Sequence, residues 1–169
     1  MRITVTDACI FIDLIELNLI SDFFQLDLEF HTTVEVLNEL FQEQKQVLEA
    51  YKDAKKLAVH NLHEEDFSKM EQFHFPKGLS QEDRSVIYIA IQLKAEIVLS
   101  SDKLVTKCAD SHHLEYHGLL WVFDLLVDND ICSKGKAVSS LQYLLKLNSM
   151  YTTSRMKKEI DVRIKKWGE

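Results

Sequence analysis

Short runs of β-branched and apolar residues alternate along this chain with longer stretches whose apolar positions recur every three or four residues. That alternation predicts strands interleaved with helices in a parallel α/β sheet. Residues 2–6 (Arg-Ile-Thr-Val-Thr) read as a first strand, followed after Asp7 by a buried helix over 10–17. A second strand is expected at 28–31, then a helix from Thr32-Thr33 through Glu43 and another over 45–56. Residues 57–62 read as a third strand and 64–73 as an amphipathic helix, after which Pro76-Lys77-Gly78 interrupts the chain. Ser80 opens a helix over 81–94, whose Val86, Ile87, Ala90, Ile91 and Leu93 form a broad apolar face. The clearest buried strand is 96–100 (Glu-Ile-Val-Leu-Ser), which empties into Ser101-Asp102 and a helix over 103–111. A short strand near 114–117 and the apolar run 118–128 complete this body. Beyond Ser133 the pattern is helical to the end, with one stripe of Leu141, Leu144, Leu145 and Leu147 and a second of Ile160 and Ile164.

These elements predict a three-layer α/β/α fold with a central, mostly parallel sheet of four or five strands and added C-terminal helices. The expected division is an α/β body over 1–132 and a basic helical extension over 133–169. A length of 169 residues suits one ordinary domain able to bury most of its apolar surface. One proline and four glycines leave few places to break a helix. Cys9, Cys108 and Cys132 show no C-x-x-C spacing, so they read as thiols of a reduced compartment rather than a disulfide framework or zinc site. Asp7 interrupts the N-terminus before a signal-length apolar run forms, and no later stretch approaches a membrane span. A cytoplasmic protein with no membrane partner is expected.

Charge is unevenly placed. After Cys132, nine Lys or Arg face three acids, a net +6, which leaves −13 on the remainder of a chain whose total is −7. A basic tail on an acidic body suits polyanion contact by one part and cation or partner binding by the other. The plain alternative for the tail is a solvated helix.

Four acids carry the chemical interest. Asp7, Glu39, Asp83 and Asp102 fall at strand ends or on the exposed face of helix starts, positions that an α/β fold gathers on one rim of its sheet. Carboxylates gathered without bases repel one another, and their common use is to hold a hard divalent cation. Two of the four, Asp83 and Asp102, have a structural use to set beside this, as does the neighbouring Glu35. Thr32 and Glu35 have the spacing of a capping box, as do Ser80 and Asp83, and Asp102 stands where an N-cap is expected. Glu39, one turn beyond Glu35, has no capping role.

At these residues the chain resembles the PIN-domain nucleases. Val5-Thr6-Asp7-Ala8-Cys9-Ile10-Phe11-Ile12-Asp13-Leu14 is similar to that family's opening, in which an Asp ends the first strand. Thr33-Val34-Glu35-Val36-Leu37-Asn38-Glu39-Leu40 resembles its second signature, Gly78 to Ser85 its third, and Val98-Leu99-Ser100-Ser101-Asp102 its fourth, with a hydroxyl residue just before the acid. The resemblance covers roughly the first 130 residues and rests on order and spacing together. It implies a metal-dependent endoribonuclease that hydrolyses RNA phosphodiester bonds, often the toxin of a toxin–antitoxin pair. Carried over, Asp7, Glu39, Asp83 and Asp102 become catalytic carboxylates holding Mg²⁺ or Mn²⁺. Ser100 becomes an orienting hydroxyl. Apart from the resemblance, Lys103 and Arg84, with the basic tail, read as contacts to a substrate's phosphate backbone, and a plain surface lysine is the alternative for Lys103. The partners the resemblance implies are an RNA substrate, an antitoxin protein and a second copy in a homodimer. Many relatives place a further acid shortly after the fourth, whereas here Lys103 follows Asp102 and the next acid is Asp110.

Two other readings compete. A receiver-type phosphotransfer domain would need a phosphoacceptor Asp after the middle strand, and 57–62 ends without one. A PIN fold kept as a binding or scaffold module remains the alternative to an active enzyme. Adjacent His112 and His113, with His117 near, lack a zinc-ligand spacing. His31 reads as a strand-terminal polar residue, and Asp13 and Glu16 as solvent-facing positions.

Overall fold

A computed structural model describes residues 1–169. Five strands, β1 (Arg2–Thr6), β2 (Leu28–Thr33), β3 (Leu57–His60), β4 (Ile97–Leu99) and β5 (Glu115–His117), form one sheet in the order β3-β2-β1-β4-β5. Every pairing is parallel. With ten α-helices in the chain, the fold class is three-layer α/β/α. The helices are α1 (Ala8–Glu16), α2 (Ile20–Phe23), α3 (Val34–Asn38), α4 (Gln42–Asp53), α5 (Glu64–Met70), α6 (Gln81–Gln92), α7 (Lys103–Ser111), α8 (Leu119–Asp128), α9 (Lys134–Leu147) and α10 (Ser154–Trp167). None is long and apolar enough to cross a membrane.

The strand order has a consequence for function. From β1 the chain builds outward through β2 and β3, then returns to β1's other side for β4 and β5. The carboxyl ends of β1 and β4 therefore flank the point where the winding reverses, the crevice in which open α/β sheets place ligands. Register sets the level of each side chain there: Thr6 pairs with Leu99, so Asp7 lies beside Ser100 just past the end of both strands.

Burial follows the sequence pattern. Ile97, Val98 and Leu99 are completely buried, as a parallel strand covered on both faces requires. Helix α6 closes over β1, β2 and β4 with Val86, Ile87 and Ala90, all fully buried.

Two compact units emerge, Met1–Ile12 with Asp27–Leu119, and Asp13–Leu26 with Leu120–Glu169. The first contains the whole sheet. In the second, Leu141, Leu144 and Ile160 are buried while Leu147 is exposed, so the leucine stripe is used over part of its length. Arg163 reaches both oxygens of Asp124 at 2.8 Å, and Lys136 meets Asp22 at 2.7 Å.

Three local expectations are corrected. The helix expected to run through Glu43 stops at Asn38, because the chain turns extended at Phe41 before α4 begins. Its N-cap is Thr33, whose Oγ1 accepts from the Val36 N–H at 3.1 Å, while Thr32 Oγ1 donates to the Thr6 carbonyl at 2.8 Å. Glu35 is thus outside any capping box, and its Oε2 is buried without a donor. Asp13 does not face solvent: it is buried and accepts from Asn148 Nδ2 at 3.2 and 3.4 Å, and burial holds its carboxyl above the usual range.

Candidate metal centre

Asp7 is 3% exposed at the end of β1, its amide held by the Leu99 carbonyl at 2.9 Å. Both carboxylate oxygens have fixed partners: Oδ1 accepts from the Ala8 N–H at 2.7 Å, and Oδ2 from the Ser100 hydroxyl at 2.7 Å. Ser100 Oγ in turn accepts from the Asp102 N–H at 3.1 Å, so one hydroxyl ties the end of β1 to the loop after β4. Cys9 lies within sulfur contact of both, 3.7 Å from Asp7 Oδ2 and 3.8 Å from Ser100 Oγ.

The first turn of α6 faces this carboxylate. Ser80 and Asp83 form the reciprocal capping box, with Ser80 N–H to Asp83 Oδ2 and Asp83 N–H to Ser80 Oγ both at 3.1 Å. That cap fixes the helix start, and with it Glu82. Asp7, Glu82 and Asp83 each present an oxygen within 4.8 Å of the others. No ion pair to Lys or Arg neutralises any of the three.

Electrostatics follow from that crowding. Burial raises the Glu82 carboxyl to about 9, helped by its contact with Asp7 and by the charges of Asp7, Asp83 and Glu39. Asp83 is also raised, first by burial, with Asp7 and Asp102 adding repulsion and the Ser80 bonds opposing it. Carboxylates in this state need a proton or a cation. The residues fit a hard divalent ion: the donors are all oxygen, and Glu82 Oε1 is buried with no hydrogen-bond donor against it.

The sequence-derived residues are distributed unevenly around this centre. Asp7 and Asp83 are in it. Asp102 is exposed and serves as the N-cap of α7, its Oδ1 accepting from Leu104 and Val105 N–H at 2.8 and 3.3 Å. Glu39 is exposed at the C-cap of α3. Both lie outside the 4.8 Å group yet are felt by it through charge. Lys103 is exposed at the start of α7. Arg84 is half-buried with its guanidinium 5.8 Å from the centre of the Phe75 ring. Glu82 was missed by sequence reasoning. The signal was available: Glu82-Asp83 puts two acids in a first turn whose capping box needs one.

His31, His60 and the later histidines stand elsewhere. His31 Nδ1 meets His60 Nε2 at 2.8 Å, His117 pairs with Glu115 at 2.9 Å, and His112 packs on aromatic rings.

A family model described as a PIN domain matches residues 3–166. The chain belongs to the PIN-domain family. A comparison with curated proteins gives no match. As a PIN domain the chain falls in a nuclease class of hydrolases whose members typically use divalent metal ions, and the acidic cluster occupies the crevice expected of such a site.

Proposed function

We propose that this PIN domain is a Mg²⁺- or Mn²⁺-dependent endoribonuclease acting at Asp7, Glu82 and Asp83. Asp102 and Glu39 would complete the acidic rim, and Ser100 would orient Asp7. The observation that carries the reading is the buried Glu82 Oε1, left without a donor inside a group of three carboxylates. A bound divalent ion would supply charge neutralisation on the phosphate and a more acidic attacking water. The chain's own part is placement. Ser100 and the Ala8 amide hold the Asp7 carboxylate by both oxygens, and the Ser80–Asp83 box holds the helix start that presents Glu82. Rigid ligands of this kind position a phosphate for attack without reorganisation.

Lys103, Arg84 and the basic residues of α10 are the proposed backbone contacts, a role that makes RNA affinity fall with added salt. The resemblance to toxin ribonucleases supports the further reading that the protein is the toxin of a pair, restrained by an antitoxin and acting as a homodimer. Growth arrest on expression, relieved by the product of the neighbouring reading frame, tests that part.

Activity is tested with single-stranded RNA and single-stranded DNA in Mn²⁺, in Mg²⁺ and in chelator. Metal-dependent cleavage of RNA, abolished by Asp7→Asn and by Glu82→Gln, is the expected result. Cleavage that persists in chelator, or a preparation that binds Mn²⁺ and cleaves neither polymer, refutes an active ribonuclease; the second outcome supports the binding-module alternative.

A further inference from the structure

Beyond the carboxylates, one face of α6 leads away from the centre through Arg84, Tyr88 and Gln92, spaced four residues apart and so aligned along the helix. Aromatic rings lie against it. The Phe73 ring meets Tyr88 edge-on at 5.8 Å, and Phe75 stacks on Phe73 at 5.8 Å with the planes 25° apart. The Arg84 guanidinium then sits over Phe75 at 5.8 Å. His74, between the two phenylalanines, holds a left-handed φ of 50°. That conformation is uncommon for a non-glycine residue, and here it accompanies two rings brought side by side.

Three features make this more than a satellite of the core. Phe73 and Phe75 are only half-buried, so each keeps some accessible surface although they pack on each other and on His112. Arg84 forms no ion pair although Glu82 and Asp83 precede it, and its Nε is buried without a partner. Finally, Phe73 borders an open depression of about 420 Å³ whose other walls are Lys69, Gln72 and Gln92. The amides of Gln72 and Gln92 are exposed and make no hydrogen bond within the chain.

A ring face, two amides able both to donate and to accept, and a lysine together suit an unpaired nucleobase with its phosphate. Stacking on an aromatic ring takes any base, amides read its edge, and a cation meets the backbone. Gln92 stands ten residues along α6 from Glu82, about 15 Å at the helical rise, a distance that a few nucleotides of extended strand would cover.

We infer that Phe73, Gln72, Gln92 and Lys69 form a base-binding subsite for single-stranded nucleic acid, joined to the acidic centre by the Arg84–Phe75 stack. The inference rests on the nuclease reading, which it extends by naming how the substrate strand is held and why that strand must be unpaired there.

The test uses the full chain carrying Glu82→Gln, so that RNA is not consumed, with a single-stranded RNA oligonucleotide containing 2-aminopurine and a fully base-paired duplex of the same sequence. Binding of the single strand should quench the 2-aminopurine fluorescence. Phe73→Leu, and separately Gln72→Ala with Gln92→Ala, should each weaken single-strand affinity about tenfold, as loss of one stacked base does, and diminish the quench. Duplex affinity should change less than twofold. The glutamines are exposed, so their replacement spares the fold, and an unchanged melting temperature checks this for all variants. Single-strand affinity within twofold of the parent, or equal losses on single strand and duplex, overturns the subsite. Cleavage by the otherwise unaltered chain separates the two readings: absence of metal-dependent cleavage with variant-sensitive binding refutes the nuclease alone, whereas cleavage with variant-insensitive binding refutes the subsite alone.

Discussion

Glu82→Gln probes the centre most directly, because Glu82 is the carboxyl most disturbed by its surroundings. With its carboxyl raised to about 9, roughly one molecule in a hundred carries the ionised form at pH 7 in the absence of metal, and each further pH unit multiplies that fraction about tenfold. A divalent ion that binds the carboxylate must first displace the proton. Mn²⁺ affinity should therefore rise steeply from pH 7 to pH 8, by up to about tenfold from Glu82 alone, and level off near pH 9. Calorimetric titration in two buffers of different protonation enthalpy should show close to one proton released per ion at pH 7. In Glu82→Gln most of the pH slope and of the proton release should vanish together with much of the affinity. Stability without metal moves the other way. The folded protein holds the Glu82 proton more tightly than the unfolded chain, so this contribution is complete below the unfolded value of 4.5 and is lost as pH rises toward about 9. Metal-free parent should lose melting temperature across that interval, Glu82→Gln should lose less, and Mn²⁺ should restore the parent. A parent whose Mn²⁺ affinity is flat between pH 7 and pH 8, or a variant with the parent's slope, refutes the argument.

Three further outcomes are expected. Asp102→Ala removes both charge and N-cap and should cost about 1 kcal/mol in urea unfolding, whereas Asp102→Asn keeps a capping oxygen and should lose metal-dependent activity with little loss of stability. Ser100→Ala leaves the buried Asp7 Oδ2 and the Asp102 N–H without their shared hydroxyl; it should cost about 1–3 kcal/mol, and a cost below 0.5 kcal/mol, on the order of an ordinary surface change, contradicts the bridging role. Asp13 has its carboxyl raised by burial, so its proton is bound more tightly in the folded chain and its stabilising share is lost as pH rises above the unfolded range. Asp13→Asn should flatten the pH dependence of stability there, measured by unfolding at pH 4 and pH 7.

Much of this protein was legible in one dimension because the governing rules are local. Apolar runs such as Ile97–Leu99 announce a strand covered on both faces, and the Ser80–Asp83 spacing announces a helix start, since both depend on neighbours a few residues away. Asp7 and Asp102 could be placed at strand ends for the same reason. Which acids come together was beyond such rules. Glu82 and Glu39 are both acids near helix ends, and only the packing of α6 over β1 and β4 brings Glu82 within 4.8 Å of Asp7 and Asp83 while Glu39 and Asp102 stay outside that group. Asp13 shows the same limit, for it is buried and its hydrogen-bond partner Asn148 lies 135 positions away. Strand and helix formation are set by backbone sterics and short-range periodicity, which the order of residues states outright. Proximity of charges, and therefore their proton affinities, arises from side chains that meet only when the sheet's winding reverses beside β1, and that reversal is a property of the folded chain.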